Sequence, residues 1–286
     1  MNTVIYIDIA RNKKRLLHIL LYTVIFFFSA FIVSLLADKI VPSLNTHFNF
    51  PNAICNYLLF YEWSKHLYVN IWYLTIFIFP MIIIFLLMEG FACSIVEEEE
   101  FETLPYMRNL GIERKTILIS KLVLRLVWFL AICLLSFLEN LIFFLLLNEK
   151  KMILISGAFF GKMFLSGLFC LSVAFFVAAC SLREKSCSKT CLLILLIQFL
   201  LARLYSYIGL MADCLFASGK TYNELEWLYG LSGKLAVLRI LSPVQWCYPG
   251  QQVPIAVVIC AVVIAAVLCV GGYSIYNKDQ VVFRNQ

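Results

Sequence analysis

Apolar runs of twenty residues and more recur along this chain, at Leu16 to Ala37, Ile71 to Val96, Leu122 to Leu147, Met152 to Cys180, Thr190 to Met211 and Val253 to Tyr276. Each is long enough to cross a hydrocarbon core about 30 Å thick. In lipid every backbone polar group must find its partner within the protein. Runs of this length do so as helices, and the short alternating segments of a transmembrane barrel are missing. Composition points the same way, with 63% hydrophobic and 14% charged residues where soluble domains carry about 25% charged. The expected fold class is an all-α integral membrane protein, one transmembrane domain of six helices over residues 1–286. The basic start RNKKR ahead of the first run has the look of a signal peptide, but Leu16 to Ala37 is too long and lacks a small-x-small cleavage site, so it is read as the first span.

Orientation follows from where Lys and Arg fall. The side of the N-terminus carries 14 basic residues, with Arg125 at the start of the third span counted among them, the opposite side carries 7, and Lys162 and Arg203 lie within spans. Both termini are therefore expected on the cytoplasmic face. Trp63, Trp72, Trp227 and Trp246 then fall on or near the outer face, where amphipathic rings belong. The net charge of +6 is a topology signal, and no basic tract is dense enough to suggest nucleic acid. Most of the 11 Cys lie in spans, as small apolar side chains do. Of the others, Cys214 and Cys247 could form a bridge in an oxidising compartment or remain free.

The outer segments are unequal. Residues 38–70 are long, Asn148 to Lys151 is a tight turn, and 212–252 is long again. In the last of these, Leu225, Leu228, Leu231 and Leu235 follow three- and four-residue spacing, which predicts an amphipathic helix ending at Ser242-Pro243. The stretch PNAICNYLLFYEW from Pro51 predicts a shorter helix with Pro in its first turn.

The least membrane-like part of the chain is EEEEFETLPYMRNLGIERKTILISKL, Glu97 to Leu122. Glu97 to Glu100 close the second helix. Thr103 can cap a new one, Pro105 fits its first turn, and Gly111 stops it. A helix of about seven residues is unstable alone in water, so Phe101, Leu104, Met107 and Leu110 need a surface to pack on. Lipid headgroups are one such surface. A protein partner is the other, favoured because anionic lipid would repel the acid run.

With these features the chain resembles the permease subunits of bacterial ABC transporters of the type 2 exporter class. The resemblance rests on six helices with cytoplasmic ends, the acidic exit from the second helix, a short coupling helix, and the turn Gly111-Ile112-Glu113-Arg114 leading through Lys121-Leu122. The outer segment with Ser242-Pro243 and the tail Asn277-Lys278-Asp279 are similar too. Where that family often has Glu-x-x-Gly-Thr, this chain has Glu-Phe-Glu-Thr at Glu100 to Thr103. The resemblance implies a cytoplasmic coupling segment at 97–121, in which Glu100, Phe101, Glu102, Thr103, Leu104, Pro105, Met107, Arg108, Leu110 and Gly111 meet a separate ATP-binding cassette subunit. It implies a second permease chain, identical or not, in a bacterial plasma membrane. ATP and Mg would belong to the partner, with no cofactor on this chain, and the cargo would be an amphipathic antimicrobial peptide or drug moved out of the cell.

The residues are consistent with a chain that does not itself hydrolyse ATP. No GxxxxGK[ST] occurs, and the look-alike Gly157 to Met163 is one residue short, lacks the final hydroxyl and lies in a span. Its Gly157 and Gly161 read better as a GxxxG packing face. Polar residues inside spans are functional candidates by default. Folding the third and fourth spans about Glu149-Lys150 sets Glu139 and Lys162 at similar depth, roughly 15 to 18 Å from the turn. Arg203 competes for Glu139. The three form an ion-pair network, line a substrate path, or snorkel toward the interface. Asn140 and Gln198 are expected to donate hydrogen bonds between helices.

Two other classes fit parts of the pattern. An ion-coupled carrier or channel would also use charged span residues. An intramembrane glutamate-dependent hydrolase would need an Arg five residues after its leading Glu, and the positions after Glu97 to Glu100 are Glu102, Thr103, Leu104 and Pro105. His18, His47 and His66 have no metal-ligand set nearby.

Overall fold

The computed structural model describes residues 2–40, 67–100, 109, 111–181, 183–247 and 254–277. Six of its helices are long and apolar enough to cross a membrane. They are α1 (Asn2–Ile40), α2 (Leu67–Glu100), α3 (Arg114–Leu146), α4 (Lys150–Cys180), α5 (Glu184–Ala217) and, after the shorter elements, α8 (Ile255–Asn277). Between α5 and α8 lie α6 (Tyr222–Leu235), a 3-10 turn at Ala236–Leu241, and one helical turn, α7 (Pro243–Trp246). No strand occurs among the described residues.

The helices outrun the apolar runs that signal them. α3 begins at Arg114, not Leu122, and α5 covers Glu184–Ala217 where hydropathy marks only Thr190 to Met211. Hydropathy marks the part of a helix that lipid tolerates. The helix itself continues wherever its backbone can keep bonding, and polar side chains such as Lys115 ride on its surface. Of the expected segment 97–121, only 101–113 therefore separates two helices.

α2 and α4 form the centre. Of their apolar windows 67% and 72% is buried, against 11% for α8, and apolar side chains all around both helices suit this place. Around them pack α1, α3, α5 and α8. Aromatic rings fill the space between α1, α2, α3 and α4. Phe27 meets Phe79 edge-on at 4.7 Å between centroids, and Phe31 stacks on Phe143 at 3.9 Å. Trp72 lies edge-on to Phe144.

Small residues let the outer helices approach. A Cβ on Gly272 would come within 3.1 Å of Phe175 and 3.4 Å of the Phe176 backbone, so α8 seats its glycine directly on α4. At Gly167 the same test gives 2.2 Å to Phe129, which lies across the glycine. The expected pair behaves differently. A Cβ on Gly157 would meet Phe137 at 3.4 Å, but one on Gly161 would meet nothing within 4 Å. A GxxxG spacing guarantees that two glycines share a face, not that a neighbouring helix lies along all of it.

α3 and α4 are joined by a turn in which Asn148 takes φ 57°, a conformation that Asn tolerates better than most residues. Glu149 N–H donates to Phe144 O at 2.9 Å and closes the end of α3. The segment between α5 and α8 is helical over Tyr222–Leu235, stopping short of Ser242-Pro243, and α6 lies on α5. Thr221 and Glu224 form a capping box at its start, and Leu225 and Leu228 bury against Ala212. Leu231 stays exposed, because only the first half of the leucine stripe meets α5. The helix expected from Pro51 lies outside the described residues.

Candidate functional site

Charged side chains converge where α2 ends and α3 begins. Glu98, the second of the four acids, is buried, and its Oε1 accepts a hydrogen bond from Lys121 Nζ at 3.1 Å; Lys121 is buried as well. The two residues are 23 apart in sequence. They meet because one lies in the last turn of α2 and the other two turns into α3. One turn further along α3, Arg125 is buried with its guanidinium against Gly90. A Cβ at that position would stand 3.0 Å from Arg125 Nη1, so the absence of a side chain makes the seat.

Two further elements reach this end of the bundle. At the start of α5, Glu184 O accepts from Cys93 Sγ at 3.8 Å, and Ser188 Oγ donates to Glu89 Oε1 at 3.4 Å. Cys187 sits one turn from Cys191 on the same helix face, and both thiols are buried in contact with that of Cys93 or with each other. At the end of α8, Tyr276 O accepts from Arg114 Nη1 at 2.9 Å, and the Arg114 guanidinium lies 5.9 Å from the centroid of the Tyr276 ring. The ends of α2 and α8 and the beginnings of α3 and α5 are thus fastened to one another by polar contacts.

Both ends of the segment 101–113 are held by this cluster. Gly111, at its C-terminal side, has φ +75°, the left-handed conformation that follows a helix end, and Asn109 before it is helical. Phe101, Glu102, Thr103, Leu104, Pro105, Met107, Arg108 and Leu110 lie outside the described residues. Glu100 is described only as the last residue of α2.

The polar residues expected to act together inside the bundle are held apart. Phe137 of α3 faces Gly157 and Phe160, and Phe129 faces Phe164 and Gly167. That register sets Lys162 level with the region of Leu134, about 7 Å deeper along α3 than Glu139 at 1.5 Å per residue. Depth counted from Glu149 makes the two level, but α3 already ends at Leu146. Glu139 Oε2 is buried and accepts no hydrogen bond, so neither Lys162 nor Arg203 serves it. Arg203 is buried, with its guanidinium 5.3 Å from the Phe199 centroid. The principal neighbours of α5 are α2, α6 and the 3-10 turn.

Asn140 does bridge helices, but as an acceptor. Trp72 Nε1 donates to its Oδ1, while Asn140 Nδ2 turns back to Ser136 O at 2.6 Å. Trp72 is consequently a buried core residue and not an interfacial anchor, and Trp246 is buried against Phe169. Trp227 is exposed. Gln198 Oε1 has no hydrogen-bond partner. Cys214 and Cys247 are both free thiols. Cys247 lies beside Ser166 Oγ at 3.3 Å, and burial pushes its thiol up to about 12, against smaller opposing effects of Ser166 and Lys162.

In the sequence, Lys121 and Arg125 count toward topology, and Lys121 toward the resemblance, but neither is paired with an acid. The signal missed is that a cation one or two turns inside an apolar helix must either reach water or find an acid, and Glu98 is the acid placed across the loop. Among the described residues no group of three His, Cys, Asp or Glu side chains converges to hold a metal ion. Comparison with protein-family models, with curated proteins and with solved structures finds no match in any of the three.

Proposed function

We propose that this chain is the membrane-spanning permease subunit of an ATP-driven exporter of the ABC type 2 class. It works with both termini in the cytoplasm of a bacterial cell and pairs with a second permease chain and with ATP-binding subunits that carry ATP and Mg. The observation that carries this reading is the double fastening of the segment 101–113. Glu98–Lys121 fixes its entry, and Arg114 on Tyr276 ties its exit to the last helix. A segment that receives a push from an ATPase must not give way at its roots. Here a displacement would pass into α2, α3 and α8 together. The apolar residues Phe101, Leu104, Met107 and Leu110 are the docking face, and an amphipathic peptide or drug is the cargo class.

Purification of the tagged chain from its host in mild detergent, with mass spectrometry of co-purifying proteins, tests this. A near-stoichiometric P-loop ATPase is expected with the wild type and is expected to be lost with the Leu104→Asp, Met107→Asp double variant. Wild-type chain free of any ATPase would overturn the reading.

One observation favours an ion-coupled carrier instead. The buried, unserved Oε2 of Glu139 is the kind of intramembrane carboxylate that carries protons or ions in carriers. Transport that persists after ATP is depleted, while an ion gradient remains, would select that reading.

A further inference from the structure

Ser94, Ser120 and Ser172 return their hydroxyls to their own helices, each donating to the carbonyl three residues before it at 2.6 to 2.7 Å. Ser136 of α3 and Ser156 of α4 do not. Both are 0% exposed, and neither Oγ has a hydrogen-bond partner among the described residues. Phe137 faces Gly157 and Phe160, and this register sets Ser156 level with Glu139 and Asn140. Ser136 lies three residues before Glu139, about 4.5 Å deeper along α3 at 1.5 Å per residue. Residues at that spacing are neighbours on a helix surface. Glu139 supplies the third oxygen of this kind, since its Oε2 is buried with no hydrogen-bond partner among the described residues, and no cation among them acts on its carboxyl. Asn140 cannot serve the three oxygens. Its Oδ1 accepts from Trp72 Nε1 and its Nδ2 donates to Ser136 O. The Trp72 ring also meets Phe159 of α4 edge-on, so an indole bridges α3 and α4 on the α2 side.

We propose that Glu139, Ser136 and Ser156 ligate one monovalent cation of the sodium kind, with water completing its shell. The donor set is the first reason. All three groups offer oxygen lone pairs, which hard cations take as ligands, and one cation can serve all three together. A proton on Glu139 would give that carboxyl a single donor, enough for one hydroxyl only. Charge is the second reason. A water molecule alone would leave the carboxylate uncompensated away from bulk solvent. A divalent ion would leave a net positive charge within a span, where charge is costly. One carboxylate and one monovalent cation sum to zero. The proposal rests on the carrier reading of Glu139 and names its ion, but binding itself requires no transport.

The experiment treats the full chain in detergent with dicyclohexylcarbodiimide, which adds to a protonated carboxyl in apolar surroundings, and follows Glu139 by peptide mapping. Bound sodium displaces the proton and protects the group. Raising sodium to about 100 mM is expected to slow labelling about ten-fold, as mass action gives for a site half-filled near 10 mM. Choline at the same concentration is expected to have no effect. Ser136→Ala and Ser156→Ala, each compared with its own sodium-free rate, are expected to need about ten-fold more sodium for equal protection, the worth of one bond to a charged group. Equal protection by choline would overturn the proposal. Labelling indifferent to sodium would overturn it too and leave Glu139 a proton site. Failure of Glu139 to react under any condition would also overturn it, because a carboxyl already held within the protein is not a ligand. Sodium protection without ion-driven transport would uphold the site and set aside the carrier reading alone.

Discussion

Lys121 is three-hundredths exposed and pairs with Glu98 at 3.1 Å. Two charges taken out of water together gain little net stability, but removing one strands the other, at about 3 to 5 kcal/mol. Glu98→Gln is therefore expected to destabilise the chain by that order in detergent unfolding. The double variant Glu98→Gln, Lys121→Met should recover most of the loss. A Glu98→Gln protein as stable as the wild type would mean that Lys121 is served by water or by a second partner. The thiols give a second prediction at this scale. With its thiol raised to about 12 by burial, Cys247 has only about one molecule in ten thousand as thiolate at pH 8, and the thiolate is the nucleophile. Peptide mapping after maleimide treatment at pH 8 is expected to find Cys214, which is exposed, modified and Cys247 intact. Modification of Cys247 at a comparable rate would show that the α7 turn opens.

At the scale of elements, the sequence was most legible where solvent dictates the answer. All six spanning helices can be read from apolar run length, because lipid leaves the backbone no other choice. The tight turn before Lys150 and the helix over Leu225 and Leu228 were legible for similar reasons. Helix ends were not, since Arg114 to Lys121 is polar enough to look like loop, yet it is helical, with Lys121 on Glu98 and Arg114 on Tyr276 O. Packing register was not legible either. Nothing in a single sequence distinguishes Gly167, which lies under Phe129, from Gly161, which faces open space. The difference is measurable. Gly167→Ala places a methyl where Phe129 now sits, and overpacking of this kind costs about 1 to 3 kcal/mol. Gly161→Ala should be neutral or slightly stabilising, because Ala is the better helix former. Similar unfolding midpoints for the two variants would mean that α3 and α4 shift apart freely at this point.

At the scale of the whole molecule, the polar groups divide into two sets with different work. The set at the ends of α2 and α8 is paired and buried, which suits a rigid transmission point. Glu139, by contrast, sits in a span with Oε2 buried and accepting no hydrogen bond, an arrangement that costs free energy unless some working state relieves it. If the bundle rearranges during transport, that carboxylate is where the two end states should differ most. Glu139→Gln keeps the shape and removes the charge, so under the proposed permease function it is expected to impair export while leaving co-purification of the proposed ATPase partner at wild-type level, because the segment 101–113 lies at a different part of the chain. Export and pull-down should be measured on the same membrane preparations. Normal export by the variant would reduce Glu139 to a tolerated burial, and loss of the ATPase together with export would mean that the two polar sets are coupled through α3.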